Sequence, residues 1–281
     1  MLIGAHMSVS GGLSTAFQRA QSIHINTMQV FTKNQNRWEQ RPATQAEIDD
    51  WFKLQQETGI APVVSHAAYL LNLGTPDDTL WERSVHALAD ELTRAEQLGI
   101  VGVVLHPGAH MGSGEEAGIA RIIAGIDRAH AATPNYKTQT LVETTAGQGT
   151  ALGYRFDQLQ AMLQGVKEPD RIGFCFDTCH VFAAGYDIRT PETYTATMAE
   201  FDRLVGLERV KSFHFNDSKK GLGSRVDRHD HIGIGMLGLA AFGFVLNDPR
   251  FALVPKILET PKSEDMHEDL ENLSRLRELV M

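Results

Sequence analysis

Residues of metal-binding type recur along this chain at long and similar intervals. His66, His106, Glu143, Asp177, His214 and Glu259 follow one another at separations of 40, 37, 34, 37 and 45 positions. Each step is about the length of one strand–helix unit, ~30 residues or more. Three more candidates lie close by. His180 is one turn beyond Asp177, and Asp227 and His229 fall in the run Asp227-Arg228-His229-Asp230-His231. Imidazoles and carboxylates without thiolate suit zinc, manganese or iron. Nine ligands exceed the needs of one ion and suit two or three, with Glu143 or Glu259 as the bridging carboxylate. One histidine at a strand end is more often structural than ligating. Nine such groups on one face, however, leave too many buried polar atoms to satisfy without metals.

Positioning them requires a fold that brings distant strand ends together. Short apolar runs read as strands at Leu2–His6, Thr27–Phe31, Pro62–Ser65, Val101–His106, Thr140–Glu143, Ile172–Asp177, Val210–Phe215 and Val254–Glu259. Most lack strict alternation, the pattern of strands buried on both faces of a parallel sheet. Helical stretches separate them. Thr44–Thr58 opens on a Thr44-x-x-Glu47 capping box and stops before Gly59; Leu80–Leu98 stops before Gly99; Gly118–Ala132 and Pro191–Val205 follow the same template. Eight strands alternating with helices predict an α/β chain folded as a single-domain (β/α)8 TIM barrel over residues 1–281, with the site at the C-terminal face of the strands. The alternative is an open doubly wound sheet; no G-x-G-x-x-G follows the first strand, which argues against a dinucleotide-binding version.

The formal charge of −9 taken alone argues against a nucleic-acid binder. A cluster of divalent cations would nonetheless place strong positive charge at one spot. Cys175 and Cys179 are too few for a disulfide framework and read as small buried hydrophobes. The N-terminus lacks the features of a signal peptide, and no apolar run approaches a membrane span, so a cytoplasmic protein without a membrane partner is expected. A monomer is the expected state, although no residue pattern sets it. His6 has no ligand role in this reading. His24, His86, His130 and His267 read as surface residues, and Asp230 and His231 as solvated loop residues.

Longer strings carry a resemblance. GAHMSVSGGL (4–13), FTKNQ (31–35), SHAAYLLNLG (65–74), LHPGAH (105–110), VETTAGQG (142–149), FDTCHVFAAGYD (176–187), HFNDSKKGLGSRVDRHDHIGIG (214–235) and ILET (257–260) together resemble the endonuclease IV family of zinc-dependent apurinic/apyrimidinic endonucleases, over nearly the whole chain. The resemblance implies a DNA-repair hydrolase acting in base excision repair on double-stranded DNA with abasic or 3′-blocked sites. It implies a cut 5′ to the abasic site by a three-zinc cluster, with 3′-phosphatase or 3′-phosphodiesterase activity at the same site; manganese or iron could fill some positions. His66 and His106 would bind one zinc, with Glu143 bridging to a second. Asp177, His214 and Glu259 would complete the second, and His180, Asp227 and His229 would hold the third. Glu143 and Glu259 are the expected catalytic residues, Glu143 also positioning the attacking hydroxide. Tyr69 and Leu70 would wedge into the base stack, and Lys33, Asn34 and Gln35 would meet the DNA backbone. The chain departs from the family at Asn36, where an arginine is usual, with Arg37 as its expected substitute. It departs again at Ile234, inside GIG where the family has GEG.

Other functions also place residues of metal-binding type on such a fold. A sugar isomerase uses barrels with two metals but needs no third site on an Asp-Arg-His loop. A metal-dependent amidohydrolase is disfavoured because the first strand lacks His-x-His. A non-catalytic DNA-damage binder or metal-storage protein would keep ligands without turnover.

Overall fold

A computed structural model describes all residues, 1–281. Ten strands are formed: β1 (Ile3–Met7), β2 (Thr27–Val30), β3 (Val63–His66), β4 (Gly102–Leu105), β5 (Gln139–Glu143), β6 (Ile172–Asp177), β7 (Val210–Phe215), β8 (Asp217–Ser218), β9 (His229–Asp230) and β10 (Lys256–Leu258). Eight of them, all parallel, close into a barrel in the order β1-β10-β7-β6-β5-β4-β3-β2. The α-helices are α1 (Thr15–Ser22), α2 (Gln45–Thr58), α3 (Asp78–Gln97), α4 (Glu115–Ala132), α5 (Phe156–Gly165), α6 (Thr178–Ala184), α7 (Pro191–Leu204), α8 (Leu239–Leu246) and α9 (His267–Glu278). None is long and apolar enough to cross a membrane. The expected TIM barrel is the observed fold.

All eight expected strands are present, β6 and β7 with the expected bounds, and α2 carries the capping box between Thr44 and Glu47 and a left-handed Gly59. The stretch 216–235, expected as a plain loop, contains the antiparallel pair β8–β9, which the sequence reading missed. Two-residue strands are too short to show a hydrophobic period.

Strand geometry accounts for the site. Side chains at i and i+2 share one face of a strand. Val64, Val104, Leu141, Cys175 and Ile257 form a separate apolar layer within the barrel, each from a different strand. Two positions onward stand His66, His106, Glu143, Asp177 and Glu259. The intervening residues belong to the larger core between barrel and helices, for example Leu105, Val142, Phe176 and Leu258. The apolar layer therefore forms a floor, and the polar residues form the layer above it at the C-terminal mouth. Cys175 belongs to the floor, where burial pushes its thiol up to about 12.

One expectation is corrected here. His130 is not a surface residue: it is 1% exposed, with Nε2 2.9 Å from Thr140 Oγ1. One face of α4 turns toward the barrel, and His130 falls on that face with Ile122, Ile126 and Ala129. Burial and the nearby Arg171 lower its pKa from 6.5 to about 4. The unfolded chain thus takes up a proton near pH 6.5 that the folded chain refuses until about pH 4. Stability is undiminished above pH 6.5 and falls as pH drops through that window. Between about pH 7 and pH 4 the wild type should lose on the order of 2 kcal/mol more unfolding free energy than His130→Gln. Parallel urea-denaturation curves for the two proteins across that range would refute this.

Candidate metal centre

The polar layer assembles side chains from six strands, one helix and the β8–β9 arm. His66, Glu143 and Asp177 end β3, β5 and β6; His106 and Glu259 follow directly on β4 and β10; His214 is the penultimate residue of β7. Asp177 also begins α6: its Oδ1 accepts from the His180 amide at 2.8 Å, so one carboxylate closes a strand and caps a helix. That turn sets His180 beside Asp177. The β8–β9 pairing of Ser218 with His229 folds the arm back over the mouth, and Gln148 Oε1 accepts from the Asp227 amide at 3.0 Å.

The ligand-type atoms fall into three neighbouring groups, each with its atoms within 4.8 Å of one another: His66, His106 and Glu143; Glu143, Asp177, His214 and Glu259; His180, Asp227 and His229. Glu143 belongs to two groups. Its Oε2 lies 3.2 Å from both His66 Nε2 and His106 Nε2, and its Oε1 lies 2.9 Å from His214 Nδ1 and 3.2 Å from His180 Nδ1. Asp227 lies 3.2 Å from His180 and 3.3 Å from His229. All nine expected residues are thus brought together. His66, Glu143, Asp177, His180 and His214 are buried, whereas the side chains of His106 and Asp227 are 36% and 38% exposed and form the open rim.

In three of the rings, a hydrogen bond at one nitrogen decides what the other nitrogen offers. His66 Nδ1 bonds the Ala67 carbonyl at 2.7 Å, His180 Nδ1 the Thr144 carbonyl at 2.8 Å, and His214 Nε2 the Gln29 Oε1 at 2.8 Å. These oxygens only accept, so each of those nitrogens carries the hydrogen. The opposite nitrogen then turns a lone pair toward a carboxylate. That contact is repulsive unless a second proton or a cation lies between the two. The far-side carbonyl or amide is also the arrangement that orients metal-ligating histidines. Burial would raise the Glu143 carboxyl, yet the surrounding imidazoles, His214 and His106 foremost, hold it well below the usual carboxylate range. Burial likewise works against charge on His180, and Asp177 and Asp227 outweigh it, holding that ring well above its ordinary value. This cluster demands balanced charge, and divalent cations fit its donor set. Cys179 lies near Asp177 and His229, but its thiol is directed to the Arg228 carbonyl at 3.8 Å, and burial pushes it up to about 12.

Two buried amides escaped the sequence reading. Gln29, fully buried on β2, donates to Glu259 Oε1 at 2.5 Å, lies 3.0 Å from His6 Nδ1, and accepts from His214. Asn216 donates to Asp177 Oδ2 at 2.7 Å and accepts from the Glu259 amide at 3.1 Å. The only sequence signal is Gln29 itself, a long amide between Met28 and Val30; Asn216 carries none. His6 stands 3.9 Å from Glu259 at the edge of the cluster.

The residues expected to meet DNA are distributed less uniformly. Tyr69 is 59% exposed, with its ring 5.1 Å from that of His66 and 5.9 Å from that of His106. Leu70 and Gln35 are half-buried, and Asn34 and Arg37 are exposed. Lys33 departs from expectation. It is buried, and its ammonium lies 2.9 Å from Asp90 and 3.5 Å from Glu91, so it is turned inward rather than toward a phosphate. A cavity of about 680 Å³ opens beside the cluster, between His6, Phe31 and Lys262 on one side and Asn34, Gln40 and Arg41 on the other.

The family described as a xylose isomerase-like TIM barrel matches residues 17–279. A protein named probable endonuclease 4 from Chloroflexus aggregans is 56% identical over 277 residues, spanning 99% of this chain and 97% of the relative. The crystal structure of endonuclease IV from Thermus thermophilus superposes with a TM-score of 0.88 at 37% identity, over 99% of this chain and 98% of that one. A D-tagatose 3-epimerase-like protein superposes with a TM-score of 0.75 at 16% identity, covering 100% of this chain and 98% of that one, a likeness of fold alone.

Replacing Gln29 with leucine removes the partner that fixes the His214 ring and orients Glu259. Gln29→Leu should weaken divalent-metal affinity by about 10- to 100-fold with the barrel intact. Competition against a chelating dye, with circular dichroism as the control for folding, measures this; unchanged affinity would show that the amide does not tune the site.

Proposed function

The chain belongs to the endonuclease 4 family of DNA-repair nucleases on the xylose isomerase-like TIM barrel, and on that premise we propose that it hydrolyses the phosphodiester 5′ to an abasic site in double-stranded DNA, using three zinc ions. The observation that carries this reading is the convergence of nine imidazole and carboxylate side chains in three neighbouring groups, two of them sharing Glu143, at one barrel mouth. In this reading His66, His106 and Glu143 would hold one ion. Glu143, Asp177, His214 and Glu259 would hold a second, and His180, Asp227 and His229 would hold the third. Removal of 3′-phosphate or 3′-phosphodiester blocks uses the same residues.

Bound there, divalent metal supplies Lewis-acid polarisation of the phosphoryl group and lowers the pKa of water toward ~7. The chain's own contribution is position and charge. Glu143, gripped on both oxygens, is held at one place between two ligand groups and orients the attacking water. His106 and Asp227, at the open rim, face the side from which a phosphodiester approaches. Tyr69 stands above His66 and His106, where an aromatic ring inserted into the duplex would unstack it for a few kcal/mol. An abasic nucleotide is cheaper to extrude than a paired one, which favours the damaged site. The acidic surface does not oppose this, because cations bound in the cluster set the local field.

The deciding assay is cleavage of a labelled duplex bearing one abasic-site analogue, with and without chelator. We expect one chelator-sensitive cut 5′ to the lesion, reduced on the order of 100-fold or more in Glu259→Gln. Zinc-replete protein that makes no cut would sink the reading and redirect attention to sugar substrates. Tyr69→Ala, at an exposed position, should leave metal content unchanged and raise KM for the duplex on the order of tenfold. An unaltered KM would return Tyr69 to a packing role.

A further inference from the structure

The loop joining β2 to α2 has no strand or helix of its own, yet two buried cations hold its backbone. Arg94, on α3, donates through one terminal nitrogen to the carbonyls of Gln40 at 2.5 Å and Arg41 at 2.9 Å, and through Nε to Asp90 at 3.0 Å. Lys33 Nζ lies 2.9 Å from the same Asp90 oxygen, 3.5 Å from Glu91 and 3.3 Å from the Trp38 carbonyl. The second Glu91 oxygen accepts from Thr32 at 2.7 Å. The side chains of Lys33 and Arg94 are 1% and 5% exposed.

Buried cations must be paired, and here three of the five partners are loop carbonyls rather than carboxylates. The carbonyls of Trp38, Gln40 and Arg41 are therefore drawn inward toward α3. Within the loop, the Asn34 amide donates to Gln40 Oε1 at 2.9 Å and the Arg37 amide to the Asn34 carbonyl at 3.0 Å. Asn34, Asn36 and Arg37 stand at the outer side of the loop that walls the cavity beside His6 and Lys262. A loop ordered before contact loses less conformational entropy on binding than one ordered by contact.

We propose that Arg94 and Lys33 are positioning residues for substrate binding: they hold residues 33–41 in one conformation, so that Asn34, Asn36 and Arg37 meet the DNA backbone beside the metal cluster. This rests on the DNA substrate proposed above. Lys33 then serves DNA binding indirectly, through the loop backbone, and not by touching phosphate.

The test uses full-length, metal-replete Arg94→Met and Arg94→Lys with an uncleavable abasic-analogue duplex for affinity and a cleavable one for kinetics. Arg94→Met should raise Kd and KM about tenfold while metal content and kcat stay near wild type. Arg94→Lys should recover part of the affinity, because an ammonium still reaches a carbonyl. Arg37→Ala should weaken binding in the wild-type background and add little in Arg94→Met, since the loop is already released. If Arg94→Met does not fold, Asp90→Asn at the half-exposed end of the network serves in its place. Wild-type protein that binds no duplex overturns the nuclease reading and this one with it. Wild type that binds, beside a folded variant that binds equally well or shows fully additive effects with Arg37→Ala, overturns this proposal alone.

Discussion

The mouth of the barrel depends on one carboxylate. Glu143 is completely buried, and its two oxygens are approached by the imidazoles of His66, His106, His180 and His214. A buried anion is tolerated only when its surroundings balance it. The balance must come from protons on the rings or from cations among them, and either choice couples β3, β4, β5, β7 and α6 through a single group. Moving any one of these elements would disturb the contacts of the others. The strand ends and the chemistry are therefore one constraint: a barrel that closed differently would leave Glu143 an unpaired charge.

Around that carboxylate neutral hydrogen bonds orient three of the four rings. Backbone carbonyls do this for His66 and His180, and the Gln29 amide does it for His214. Asn216 does the same for Asp177 while also receiving the Glu259 amide. These contacts carry no net charge, so they aim the imidazole and carboxylate atoms of the cluster without adding charge to it. The apolar layer of Val64, Val104, Leu141, Cys175 and Ile257 beneath them excludes water from below, which raises the strength of every electrostatic contact above it.

The β8–β9 arm shows how a loop is made accurate enough to contribute to such a site. Asp217 Oδ1 accepts from the amides of Ser218 at 2.7 Å and Leu237 at 2.9 Å, tying the two ends of the arm together. Gly235 is required there: a Cβ would come within 2.5 Å of that same oxygen. The tie fixes the base of the arm, strand pairing places His229, and Gln148 places Asp227. Lys33 and Arg94 do the equivalent for the loop after β2, with cations in place of a carboxylate. In both loops a buried charge organises backbone groups, and the exposed side chains between the anchor points remain available.

Much of this was legible in the residues themselves. Eight apolar runs with polar ends predicted the barrel, because a strand buried on both faces must be apolar and its functional residues can stand only where it emerges. The residue types and their spacing of one strand–helix unit picked out six residues of the cluster, since those properties are local to each strand end, and the turn after Asp177 and the Asp-Arg-His run added His180, Asp227 and His229. The roles of Gln29 and Asn216, the burial of His130 and the inward turn of Lys33 were not legible. Each depends on what lies opposite across the fold: Gln29 on β2 against Glu259 beyond β10, and Lys33 against Asp90 and Glu91 on α3. A sequence specifies which groups can bond and how far apart they lie along the chain. Which of them face each other, and so which are ligands, anchors or free surface, is decided only when the barrel closes and burial sets the cost of leaving any of them unpaired.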